Sequence, residues 1–419
     1  MGRACPDRPA LRGFRIVVVH RRRIIPMTST PPVDPETGPH APDTAFDDTA
    51  SGDPETAGTV AFPDNPVLVA VTRGETVENQ HRGAAVVLDA EGTARLVWGD
   101  VERPVFARSA LKPMQALPLL EALPDAPDLT PERIALHAAS HIGRPEHVDR
   151  IRAWLADMGL SEADLECGDL DWPTEAEAAR ALARAGQTPG AAHHNCAGQH
   201  TGFLRLAQAL GVPTRGYIHA HHPVQRAAMA AVSDLMGLDA AAAPCGLEGC
   251  GIPSVALPLW AVALGMARLA DPSGLAPARR AAAERLRAAM VAHPELIAGP
   301  GWCDTRVMQV TRGRILVKRG AEGNAAAMLP ERGLGVALKI DDGDRRAAEV
   351  ALGLVLETLG ELSAEERAAL ADVFQPAVTN AAGIVAGRVF PVVPLDEDGG
   401  DDDPEADRID PWDEDWEEE

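Results

Sequence analysis

Strand-like and helix-like patterns are segregated along this chain instead of alternating. Val67–Arg73, Ala84–Asp89 and Ala94–Gly99 carry the short apolar and β-branched runs of strands, the last two joined by the turn Ala90-Glu91-Gly92. A long helical block follows. It opens at Thr130-Pro131-Glu132, an N-cap with proline in the first turn, and continues over 145–158, 173–185, 200–210, 223–237, 253–270 and 276–292. Strands return at Ile315–Lys318, Ala325–Leu329 and Leu334–Ile340. Helices at Arg345–Leu359 and, behind the N-cap Ser363, Ala364–Val373 close the pattern. Strands far apart in sequence can share one sheet. The order therefore predicts an α/β fold of the α+β kind, an antiparallel sheet built from N- and C-terminal strands with a large helical lobe. The missing βα alternation excludes a TIM barrel or a doubly wound nucleotide-binding sheet.

Charge bounds the ends of the folded part. Residues 1–27 hold seven arginines against one acid, 28–66 hold eight acids and no base, and 396–419 hold fifteen acids with Arg408 alone. Most of the net charge of −23 thus lies outside the body. Met27 reads as a natural start, with 1–66 a disordered extension, 67–395 the folded domain and 396–419 a self-repelling, disordered tail. An acidic body without a basic stripe argues against nucleic acid as a partner. The longest apolar run, Val255–Ala267, is shorter than the roughly 20 residues a membrane span needs, and Pro258 interrupts it. Six cysteines are too few for a disulfide framework and favour the cytoplasm.

Lysine usage is the sharpest chemical signal. Of 39 cations only Lys112, Lys318 and Lys339 are lysine. Arginine serves any surface charge, whereas a job that requires giving up a proton needs lysine. Lys112 closes Arg108-Ser109-Ala110-Leu111-Lys112, where Ser109 at a helix start and Lys112 one turn on would share a face. A neutral amine there could take the serine proton, and the helix start would favour the alkoxide. That setting makes Ser109 the favoured nucleophile. Lys318 opens Lys318-Arg319-Gly320 at a strand end, and Ser140 in Ala139-Ser140-His141 lies between the two lysines. Order and context match the S-x-x-K, loop serine and K-x-G elements of penicillin-recognising serine acyltransferases. Lys339 reads as a solvent-facing strand end.

Two further segments, His193–His200 and Cys245–Pro253, each place a cysteine in a glycine-containing loop before an expected helix. Such thiols make metal ligands, nucleophiles or buried structural residues, and the spacing fits no standard zinc pattern. His219, His221 and His222 read as surface residues flanking a helix.

Taken together, Val71-Thr72-Arg73-Gly74, Val77-Glu78, His81-Arg82-Gly83, Arg108–Pro118, Ala139-Ser140-His141, the Cys196 and Cys250 loops and Lys318–Gly323 resemble the asparaginase II family, the thermolabile rhizobial-type L-asparaginases. The resemblance spans about 67–393. It implies an asparaginase-like catalytic domain, a fold similar to glutaminases and serine β-lactamases, and a homodimer. It also implies hydrolysis of L-asparagine to aspartate and ammonia. Carried over by motif, Ser109 with Lys112 and Ser140 with Lys318 form two catalytic Ser–Lys pairs. Arg108, His200 and the acid before Cys250, here Glu248 where the family usually has Asp, surround the substrate. The family holds zinc with both loop cysteines and a lysine in C-x-G-K-H. Here Cys196 and Cys250 are kept but Gln199 stands at the lysine position, so zinc binding is weakened and no cofactor is required for the Ser–Lys chemistry. Two other readings stay open at this point: a β-lactamase-like serine hydrolase, and a non-catalytic amino-acid-binding member of the fold.

Overall fold

Side chains along β2 (Thr76–Asp89) alternate between two hydrophobic cores, which explains how one sheet can be covered on both faces. Ala84, Val86 and Leu88 point into the larger core with the helical lobe, whereas Ala85 and Val87 point into a second core under the helix Arg345–Thr358. The computed structural model describes residues 65–169 and 175–394. The expected N-terminal extension as far as residue 64, the start near Met27 and the acidic tail from 396 lie outside the described residues.

The other strands are β1 (Val67–Arg73), β3 (Ala94–Trp98), β4 (Pro104–Phe106), β5 (Cys245–Leu247), β6 (Pro253–Pro258), β7 (Leu316–Arg319), β8 (Asn324–Leu329), β9 (Leu334–Ile340), β10 (Ala377–Thr379) and β11 (Val385–Pro391). The main sheet runs β10-β11-β1-β2-β9-β8-β7, with β3 also on β2, and every pairing is antiparallel. N- and C-terminal strands therefore share one sheet, as expected. The helix Leu259–Ala270 lies across it at Gly335, where a Cβ would come within 2.1 Å of the Ala263 carbonyl and the Ala267 nitrogen. Only glycine allows that crossing.

Several local expectations need correction. Residues 253–258 form β6, not the first turns of a helix. β6 pairs with β4 and β5 in a small second sheet, and the helix begins only after Pro258. An unbroken apolar run looks the same in a buried strand and a buried helix. β2 starts eight residues earlier than its apolar part because Thr76–Gln80 is an exposed ribbon on β1. The helix expected at Ala364–Val373 is two short ones, Ala364–Ala369 and Ala371–Phe374, although Ser363 and Glu366 do form the capping box at its start. Thr130 stands at the N-cap of Pro131–His137 without a side-chain bond to the helix. His222 is buried, and its ring accepts from the Val224 N–H as the N-cap of Pro223–Met236. His219 and His221 are exposed as expected.

Candidate functional site

The segment after β4 carries Ser109 and Lys112, but it does not run as one helix. Arg108–Leu111 is a 3-10 turn, followed by the one-turn helix Lys112–Gln115 and by Leu117–Ala122. The expected long helix start beside Ser109, with its field, is therefore absent. Arg108 has a φ of +55°, a conformation a non-glycine residue holds only when its surroundings impose it. Its Nε donates to Glu248 Oε2 at 2.5 Å, and Glu248 Oε1 accepts from Ser254 Oγ at 2.8 Å. Glu248 and Cys250 ride on the loop that joins β5 to β6, turned by the Gly251 N–H bonding the Glu248 carbonyl. That loop leads into a strand, where a helix had been expected.

Arg108, Ser109, Lys112, Cys196, Gln199, Glu248 and Cys250 line one narrow cleft with a cavity of about 20 Å³, room for roughly one water molecule. Ser109, Arg108 and Glu248 are each partly exposed there. A larger, mostly apolar concavity of about 960 Å³ lies between Pro223–Met236 and the small sheet, lined by residues such as Met229, Ser233, Cys245 and Val255. It contains neither Ser–Lys pair.

Lys112 and the Ser140–Lys318 pair meet at the loop after Pro131–His137. Lys112 is 2% exposed, and its Nζ donates to the Ala139 carbonyl at 2.7 Å and to Cys196 Sγ at 3.2 Å. Among the described residues no hydrogen bond joins it to Ser109. Ser140, the next residue after Ala139, has its N–H on the Ile297 carbonyl and its Oγ 2.9 Å from Lys318 Nζ. Lys318 is 1% exposed at the end of β7, and a second bond of 2.9 Å runs from its Nζ to the Arg319 carbonyl. Burial pulls its amine down from 10.5 to about 7, with Asp304 opposing and Lys112 and Arg319 adding to the fall. The end of β7 docks directly on the Ser109 segment: a Cβ at Gly320 would lie 2.3 Å from the Ala107 carbonyl. Asn324 reinforces that contact by donating to the Phe106 carbonyl.

His200, on the helix Ala197–Leu210, is fully buried and does not line the cleft. The Tyr217 hydroxyl accepts from the Glu166 N–H at 2.9 Å and is hydrogen-bonded with His200 Nδ1 at 2.6 Å. His200 Nε2 is buried and has no partner among the described residues. Burial keeps the imidazole neutral, its pKa lowered to about 3.

Cys196 and Cys250 are brought together, both buried, with a thiol hydrogen bond between them. The Cys250 donor, and then Lys112, hold the Cys196 thiol below its usual range against the effect of burial. The same bond together with burial pushes Cys250 up. Gln199 donates through Nε2 to Gln115 Oε1 at 2.7 Å, and its own Oε1 is buried without a partner. Two thiols beside a neutral amide do not complete the four-ligand set of a structural zinc site. Among the described residues no three His, Cys, Asp or Glu side chains gather as metal ligands. The residues present therefore do not fit a tight zinc centre.

Sequence reasoning passed over Arg319 and Asp304. Asp304 opens the helix Cys303–Val310, accepts the Arg319 N–H at 2.8 Å and pairs with the Arg319 guanidinium, which also reaches Glu349. Arg319 was visible only as the middle residue of K-x-G, and nothing in the sequence tied it to an acid fifteen residues earlier.

The family model described as L-asparaginase II matches residues 69–391. No curated protein matches the chain. Among solved structures the chain is similar to a β-lactamase from Mycobacterium bovis, at 16% identity and a TM-score of 0.34, covering 66% of this chain and 94% of that one. It is also similar to a class C β-lactamase from Rhodobacter sphaeroides (15%, 0.36, covering 67% and 95%). A simvastatin synthase from Aspergillus terreus gives 12% and 0.36, covering 66% and 91%. At those values no activity passes from these proteins to this one. The family match takes in almost all of the described residues, from β1 to β11, and every residue of the site: the chain belongs to the L-asparaginase II family.

Proposed function

We propose that the protein is an amidohydrolase that converts L-asparagine to L-aspartate and ammonia through Ser–Lys chemistry. Two features support the reading: family membership, and the approach of Lys112 to the Ser140–Lys318 pair. The second carries the mechanism, since Lys112 bonds the carbonyl of the residue directly before Ser140, and Ser140 is bonded by Lys318.

Ser109 is the group on the cleft wall, beside a guanidinium and a carboxylate that suit the two charged ends of an α-amino acid. Arg108 would take the α-carboxylate and Glu248 the α-ammonium, exchanging their mutual bond for the substrate. The Ser109 oxygen attacks the side-chain carboxamide carbon, and its proton passes by way of Ser140 to the neutral Lys318 amine. The C–N bond breaks as the leaving nitrogen takes up a proton and departs as ammonia. Water then cleaves the acyl-serine. Ser140 and Lys318 serve the proton transfers. An amine near 7 is half protonated at neutral pH and can both receive and deliver a proton. No step is routed through a metal. The homodimer implied by the family, and a cytoplasmic setting, belong to this proposal as well. Among the described residues no helix is long and apolar enough to cross a membrane.

A coupled assay for ammonia with L-asparagine, L-glutamine and a β-lactam tests the reading. Release from asparagine supports it. Turnover of the β-lactam alone, or binding of asparagine without turnover, would replace it.

A further inference from the structure

We propose that Asp304 and Arg319 form a positioning pair for Lys318, fixing both the aim and the charge state of its amine. The inference rests on the reading above, in which Lys318 moves protons for Ser140.

The aim comes from the backbone of residue 319. Its N–H is held by Asp304 Oδ1 at 2.8 Å, and its carbonyl receives Lys318 Nζ at 2.9 Å. The same Nζ reaches Ser140 Oγ at 2.9 Å. A flexible lysine chain thus has one of its donors pinned to the carbonyl of a residue whose own N–H is held by a carboxylate only 1% exposed. The Arg319 side chain is in turn immobilised. Asp304 and Glu349 take its guanidinium, and the Trp302 ring lies 5.1 Å beneath it, shared with Arg345 at 4.6 Å.

The charge state comes from the same atoms. Lys318 is faced by Asp304 from Cys303–Val310, by Arg319 on its own strand, by Lys112 from the Ser109 segment and by Cys196 from the head of Ala197–Leu210. A lone buried carboxylate at Asp304 would hold the proton on Lys318 and silence it as a base. Arg319 cancels that field. The pair therefore supplies the geometry of a carboxylate anchor without its electrostatic penalty on the amine.

Opposite charges make opposite predictions, which a merely structural role would not. Activity that needs the neutral amine rises with pH through the Lys318 titration. Asp304→Asn removes the carboxylate nearest Lys318 and leaves Arg319 to Glu349 alone, which should move the acid limb of kcat/KM down by about one pH unit, while Arg319→Gln should move it up by about as much. Arg319→Lys keeps the charge and should return the limb close to wild type. The limb is read twice, from ammonia release and from the rate of serine labelling by a fluorophosphonate, with melting curves to show that each variant folds. Superposable limbs, or limbs displaced in the same direction, overturn the proposal. Should either core variant fail to fold, Glu349→Gln at the outer end of the network decides. Removing that carboxylate must move the limb down, and an unmoved limb overturns the proposal. A wild type that neither releases ammonia nor labels removes the preceding reading and this one with it. An active wild type with unmoved limbs removes this one alone.

Discussion

Lys318 donates to Ser140 Oγ at 2.9 Å from a position almost wholly shielded from water. A lysine in that place has exchanged hydration for one hydroxyl and one carbonyl, too few partners to keep an ammonium at its ordinary strength. The chain otherwise writes its cations as arginine, and here the one property arginine lacks, a proton that can leave, has a use.

Lys318→Arg should therefore remove turnover although it preserves the charge, with kcat lower by about 10²-fold or more. Lys112→Arg should do the same, because the guanidinium fits neither the Ala139 carbonyl nor Cys196 in the manner of the amine. Lys339→Arg should stay within about twofold of wild type. Lys339 is half-buried, not solvent-facing as its sequence context suggested, and among the described residues its Nζ bonds only the Ile340 carbonyl. Steady-state kinetics on the three variants check all of this.

Burial of Lys318 also shapes stability. Its folded value, about 7, lies below the unfolded 10.5, so between them the unfolded chain binds more protons. The destabilisation from burying the ammonium is then full below about pH 7 and is relieved as pH rises toward 10.5. Lys318→Met should raise the melting temperature relative to wild type at pH 6 more than at pH 10. An equal difference at both pH values would show that the amine titrates normally.

Gly320→Ala tests the docking of β7 on the Ser109 segment. The added methyl would press on the Ala107 carbonyl, backbone that cannot swing aside. Denaturant unfolding should show a loss of about 1–3 kcal/mol, and ammonia release should fall because Ser109 and the Ser140–Lys318 pair separate. Neutral behaviour would mean that the strand end can move without harm.

How much of this was legible beforehand follows from what each signal measures. Periodicity found β1, β3, β7, β8 and β9, whose apolar residues are contiguous, and their union in one antiparallel sheet. It missed β10 and β11, which sit at the sheet edge with glycine and polar residues, and it turned β6 into helix because Pro253–Pro258 is apolar throughout. Motif order placed Arg108, Ser109, Lys112, Glu248 and both cysteines around one cleft. Spacing failed where backbone detail decides. Ser109 and Lys112 were expected to meet across a helical turn, but the 3-10 start and the pull of Ala139 and Cys196 send Lys112 elsewhere. The pairing of Asp304 with Arg319 was invisible, since only the packing of Cys303–Val310 on β7 joins them.

Zinc separates family habit from this chain. With Gln199 committed to Gln115 and only two thiols at hand, purified protein should carry well under one zinc per chain and keep its activity in chelator. Gln199→Lys should raise the occupancy by restoring an amine. Elemental analysis of both proteins, prepared side by side, checks this. One tightly held zinc per wild-type chain would show that another donor completes the site.

The most direct test of the central claim is mass spectrometry of the protein quenched during turnover of L-asparagine, alongside continuous measurement of ammonia. The account predicts ammonia release, and an aspartyl adduct on the peptide carrying Ser109 that is lost in Ser109→Ala. It also predicts that Lys318→Arg stops ammonia release although its melting curve shows a folded protein. Ammonia release undiminished in Ser109→Ala, or no release from asparagine by the folded wild type, would contradict it.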